Sequence, residues 1–211
     1  MRIPYSAWMS PWLACAAMCV SLQAAEPSRL AGAVEALKNV AAAGAGHESA
    51  MAAWQVLAKT DASSIPFILE SMDGANDYAI NWLRSAVETI AQRGADGGRR
   101  LPVESLTAFV RDTRHHPRGR RLAYELIARA DPAAGRELLP GFLNDPGPEL
   151  RRDAVEQVTT QAGADLAAGR KEQATAAFQK AIAYARDVDQ VDAIAKKLGE
   201  LGQPEIGRAH V

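Results

Sequence analysis

Arginine and glutamate recur in this chain at one spacing, and they are the residues best placed to do chemistry. Arg84 with Glu88, Arg121 with Glu125, and Arg152 with Glu156 each stand four apart, which on a helix sets a guanidinium and a carboxylate on the same face. If equivalent helices stack, the pairs line up, and two readings follow. In one, a charged ladder along a concave face recognises a polar ligand. In the other, the ladder is internal and ties neighbouring helices together; isolated pairs of this kind contribute only ~0.2–0.5 kcal/mol each, so the internal reading asks less of them. Trp82, two residues before Arg84, is either a binding aromatic or a packing residue at a helix start. Trp82, Arg84, Glu88, Arg121, Glu125, Arg152 and Glu156 are the candidate binding surface.

Other constellations point to less. His115 and His116 are adjacent, so their side chains diverge, and no third ligand stands at a suitable spacing; no metal site is expected. Arg111, Arg114, Arg118, Arg120 and Arg121 make that stretch basic, suited to docking a phosphate or an acidic partner, although a solvated loop between helices explains it as well. The sequence contains no Gly-rich phosphate loop, paired-cysteine motif, His-Glu-x-x-His or Gly-x-Ser-x-Gly. The expectation is therefore no catalytic residue, no cofactor and no enzyme activity. A net charge of −1 and a pI near 6.4 give no electrostatic drive towards nucleic acid or an anionic membrane.

The elements that must carry these residues are helical. Of the 211 residues, 48% are hydrophobic and 23% charged, enough to bury a core, and abundant alanine with few aromatics favours close helix packing. Three segments align without gaps: 84–90, 121–127 and 152–158. Their alanines, Ala86, Ala123 and Ala154, are 37 and 31 residues apart. Leu83, Ala86, Val87, Ile90 and Ala91 show the stripe of a helix with one buried face. Upstream of each segment lies another stripe: Ile65, Ile68, Leu69 and Met72; Leu106, Phe109 and Val110; Leu138, Leu139, Phe142 and Leu143. Helix breakers stand between the two stripes at 73–76, 115–119 and 144–148. Residues 61–162 are thus predicted to form three antiparallel helical hairpins, each able to bury its apolar face only against a neighbour. The predicted fold class is all-α, an α-solenoid of stacked hairpins.

Pro66 and Pro140 in the first helices and Arg-x-Ala-Val/Tyr-Glu in the second resemble the HEAT-like repeats, over about 61–162. Asn81-Trp82-Leu83-Arg84 and Arg120-Arg121-Leu122-Ala123-Tyr124-Glu125 look like a group of uncharacterised secreted bacterial HEAT-repeat proteins, which carries over no activity. Residues 26–60 read as a capping helix pair, with Leu30, Val34, Leu37 and Val40 followed by Met51, Trp54, Val56 and Leu57. Over 163–204, Gly169, Ala174, Phe178 and Ala181 resemble the small and aromatic positions of a tetratricopeptide helix, with Val188 to Leu201 packing against it; any alanine-rich hairpin can imitate this.

The two ends read differently. Arg2, the apolar run Trp12 to Leu22 and Ala24-Ala25 make residues 1–25 a cleavable export signal, too short an apolar run for a stable membrane anchor. A rival reading makes Cys15 a lipidated cysteine. Cys15 and Cys19 are the only cysteines, so the processed chain has no disulfide to draw on. Residues 205–211 look unlike the helical text before them. They read as a non-native tail resembling a translated sequencing adapter, or else as an ordinary terminus. The expected function is a non-catalytic periplasmic or secreted scaffold binding a protein or extracellular polymer, and the N-terminal part of something longer. The alternative is the helical portion of an enzyme whose catalytic domain lies further on, since some HEAT-like proteins act as lyases or base-excision enzymes.

Overall fold

A computed structural model describes residues 27–41 and 45–203. The export segment with its two cysteines and the tail 205–211 lie outside the described residues. Among those described, all regular structure is helical. The α-helices are α1 (27–38), α2 (His47–Leu57), α3 (Ile65–Glu70), α4 (Asp77–Asp96), α5 (Val103–Arg111), α6 (Pro117–Ala130), α7 (Pro132–Leu138), α8 (Pro148–Ala167), α9 (Lys171–Tyr184) and α10 (Val188–Glu200). Short 3-10 turns at Ala62–Ser64 and Leu139–Phe142 lead into α3 and continue α7. The chain divides into two compact units, the first ending at Arg93 and the second starting at Gly94, close to the end of α4.

In the first unit the apolar stripes meet as their spacing requires. Ile65, Ile68, Leu69 and Met72 are buried together with Leu83, Ala86, Val87, Ile90 and Ala91. The turn between α3 and α4 is set by Gly74, whose φ of 68° is the left-handed conformation that a side chain would strain. Asn76 then does two jobs. Its side-chain oxygen accepts from the Ala79 N–H at 2.9 Å and so caps α4, while its amide nitrogen donates to the Val40 carbonyl at 2.8 Å and ties that turn to the end of α1.

One expectation for the N-terminal helix pair needs correction. Met51 does not join the core; it is 45% exposed, and α2 packs instead through Ala50, Ala53 and Leu57. Ala50, Ala53 and Leu57 share one helical face, and Met51 stands one residue out of phase with it.

In the second unit, helices that follow one another in sequence touch one another. Contacts join α5 to α6, α6 to α7, α8 to the 3-10 turn after α7, α8 to α9, and α9 to α10. This order is consistent with stacked hairpins. Each start is chemically marked: Pro117, Pro132 and Pro148 stand in first turns, where a missing N–H costs nothing. Asp131 caps α7 by accepting from the Ala133 and Ala134 N–H groups at 2.9 and 3.1 Å. Helix α7 tightens where Pro140 cannot supply an N–H. Gly135 sits so close to α6 that a Cβ placed on it would lie 2.7 Å from the Ala128 Cβ.

The boundary expected between residues 162 and 163 falls inside α8, a single helix continuing to Ala167. Gly169, with φ 76°, turns the chain after it. The last hairpin is α9 with α10, and Ala174, Phe178 and Ala181 are buried in it.

Candidate functional site

The residues expected to form one binding surface are distributed over the two units and do several different jobs. On α4, Arg84 Nε donates to Glu88 Oε1 at 2.9 Å, with both side chains about two-fifths exposed. Trp82 is half-buried and its ring meets that of His47 from α2, 5.5 Å between centroids and tilted by 57°. An aromatic contact of this kind is packing chemistry.

On α6, Arg121 Nε donates to Glu125 Oε1 at 2.9 Å, and a second guanidinium nitrogen bonds Asp153 of α8. Burial works against the charge on Arg121, but the bonds from Asp153 and Glu125 outweigh it and its pKa is raised. The guanidinium also lies over the Tyr124 ring, 5.5 Å from its centroid. Burial, reinforced by the charge on Asp153, raises the Tyr124 pKa.

The third expected pair does not form as a rung. Arg152 reaches away from Glu156 and donates to Asp189 of α10 at 2.9 Å, and this bond raises its pKa. The physical reason is geometric: an aspartate fixed in the first turn of the next second helix accepts the planar guanidinium through both its oxygens. Glu156 is left exposed, beside a shallow depression that it shares with Arg136 and Asp153. Arginine is therefore the recurrent element of the ladder, and its partner across hairpins is aspartate: Arg121 to Asp153, then Arg152 to Asp189.

The basic stretch also needs correction. Arg120 is not a loop residue facing water. It is buried in the core of the second unit, where it donates to Asp145 through two nitrogens and to the Val110 carbonyl through Nε at 2.8 Å. Asp145 gathers three hairpin elements: its carboxylate also accepts from the Gly147 N–H at 2.8 Å, and its carbonyl accepts from Arg151 at 2.8 Å. The histidines are likewise structural. His115 stacks on Phe109 with centroids 4.1 Å apart, and His116 accepts from the Arg118 N–H at 3.2 Å to cap α6. Among the described residues, no group of three or more His, Cys, Asp or Glu side chains converges as a metal site would.

A groove on the first unit was not foreseen. It has a volume of about 620 Å³ and lies among α1, α2 and the start of α3. Leu30, Val56 and Phe67 give it an apolar floor, and Arg29, Lys59 and Asp61 stand around it. Phe67 is 40% exposed, whereas its neighbours Ile65, Ile68 and Leu69 are fully buried. The groove wall is held firmly. Arg93 of α4 donates to the carbonyls of both Ala58 and Thr60, a cation on the carbonyl end of α2. Thr60 Oγ1 bonds the Leu57 carbonyl at 2.8 Å and pairs with Ser64 Oγ at 2.7 Å. The sequence carried one signal for this site: Phe67 is an aromatic out of phase with the buried stripe on either side of it.

Among the described residues, no helix is long and apolar enough to cross a membrane. No family model matches the chain, and neither a curated protein nor a solved structure does so.

Proposed function

We propose that the chain is a non-catalytic, exported helical-repeat scaffold of HEAT-like type, and that it binds a protein or polymer partner outside the cytoplasm through the groove on its first unit. The groove carries this reading: it leaves apolar floor open to solvent beside charged groups, on a wall fixed by Arg93. A concave site with an apolar base and a few placed polar groups is what ligand recognition requires. The charged residues that recur in the second unit serve a different purpose, because Arg121 and Arg152 are engaged by Asp153 and Asp189. They tie hairpins together and leave ligand recognition to the groove.

The test is site-specific crosslinking. A photoreactive phenylalanine analogue in place of Phe67, in protein exported by the native host, should give one discrete adduct. The same analogue at Glu137, exposed on α7, should not. Equal adducts from both positions, or none from Phe67, would remove the groove as the binding site. Fractionation tests the export part separately, since chain retained in the cytoplasm with Met1 intact would refute it.

A further inference from the structure

We propose that the groove on the first unit takes an acidic segment of a partner protein, seating one aliphatic or aromatic side chain beside Phe67 and flanking carboxylates on Arg29 and Lys59. This rests on the groove being the binding site and adds the chemistry of what it binds.

Charge at the groove is unbalanced, with Arg29 and Lys59 against Asp61. Arg84, Arg114, Arg120, Arg121, Arg152 and Arg170 each hold a carboxylate. Arg29 and Lys59 are exposed and hold none among the described residues. The acid at the groove, Asp61, already accepts the Ser63 N–H, so its charge is partly satisfied by the turn it stabilises. Two open cations beside one engaged carboxylate make a local positive site on a chain whose net charge is −1. Complementarity then favours an acidic ligand over a basic one.

The floor narrows the class further. Leu30, Val56 and Phe67 form an apolar surface on which a buried anchor side chain gains affinity that charge alone does not supply. Nucleic acid fits less well: tracking a phosphate backbone takes a row of cations, and reading single strands takes several stacking aromatics, where the groove offers two cations and one phenyl ring. The backbone that carries Lys59 is preorganised, because Arg93 holds the carbonyls of residues 58 and 60 on either side of it. Little backbone ordering remains to be done on binding.

Fluorescence anisotropy on the full exported chain tests this with two labelled peptides, one with Asp and Glu around a central Phe and its twin with Asn and Gln. The acidic peptide should bind, weaken with added salt, and exceed its amide twin by roughly tenfold or more. Arg29→Glu with Lys59→Glu should abolish that preference, and Phe67→Ala should weaken both peptides; all three residues are surface-accessible, so helical circular dichroism should be unchanged. Equal binding of the two peptides, with Phe67→Ala still weakening both, overturns the acidic class while leaving the groove as the site. Binding untouched by all these variants overturns the groove as well. A thymidine oligonucleotide that displaces the acidic peptide at lower concentration than unlabelled peptide overturns the proposal in favour of phosphate recognition, and no binding of the acidic peptide at millimolar concentration overturns it outright.

Discussion

Arg120 and Asp145, 25 residues apart in sequence, form a two-pronged ion pair in which the side chains are 1% and 3% exposed. It joins the second helix of one hairpin to the turn of the next, and Arg120 extends the link to the carbonyl of Val110 at the end of α5.

Breaking that pair on one side should be costly. Asp145→Ala leaves the Arg120 charge buried without its partner and should lower stability by about 3–5 kcal/mol, read as a shift in urea midpoint. Replacing both residues with apolar side chains of similar volume, Arg120→Met with Asp145→Leu, should recover most of that loss. A double variant no more stable than Asp145→Ala would show that the Gly147 bond to the Asp145 carboxylate and the Arg120 bond to the Val110 carbonyl matter more than the pair.

The reach of the sequence reading follows from this contrast. Apolar stripes were legible because burial repeats with the helix: Ile65, Ile68, Leu69, Leu106, Val110 and Leu122 are all fully buried. Arg120 was not legible, because it stands among four other arginines that face outward or pair at the surface, and nothing local marks which one turns inward. Its partner lies in another hairpin. The same holds for Arg152, whose local neighbour Glu156 offered a pair at the right spacing while Asp189, 37 residues on, made the bond. The groove depends on Phe67 being one residue out of phase, which a stripe-counting argument discards.

Two glycines should respond to alanine with opposite sign. Gly135→Ala places a methyl 2.7 Å from the Ala128 Cβ and 2.9 Å from its Cα, and should destabilise by about 1–3 kcal/mol through overpacking. Gly163→Ala, inside α8 with nothing within 4 Å of the new Cβ, should stabilise by about 0.5–1 kcal/mol through helix propensity. Thermal melts of the two variants check both; a Gly135→Ala melting point equal to or above that of the parent would refute the close approach of α7 to α6.

Ala123 and Glu125 separate the packed face of α6 from its polar face. Ala123 is fully buried, so Ala123→Leu should cost about 1–3 kcal/mol. Glu125→Gln should stay within about 0.5 kcal/mol, since Arg121 keeps its bond to Asp153. Comparable losses in denaturation midpoints would mean that the Arg121–Glu125 pair is as important as the core.

Strong acid should release α10 from Arg152. Arg152 hydrogen-bonds Asp189 and holds its carboxyl down to about 2, from an ordinary 3.8. A depressed carboxyl contributes its full stabilisation above the unfolded value and loses it as pH falls through the folded one. The contribution is therefore complete above about pH 4 and lost towards pH 2. Carbon-detected NMR titration should place the Asp189 midpoint near 2, and Arg152→Ala should return it to the ordinary carboxylate range. A midpoint that ignores Arg152→Ala would sever the pair.

The arginine relay has a consequence for salt. Arg121 passes from α6 to α8 and Arg152 from α8 to α10. The first link stands beside the buried Arg120 pair, whereas the second, which also brings Asp187 to 3.7 Å from Arg152 and Gln190 onto the Arg152 carbonyl, rests on ion pairs open to solvent. Dissolved ions screen exposed pairs far more than buried ones, so rising ionic strength slackens the outer link of the relay and leaves the inner one in place.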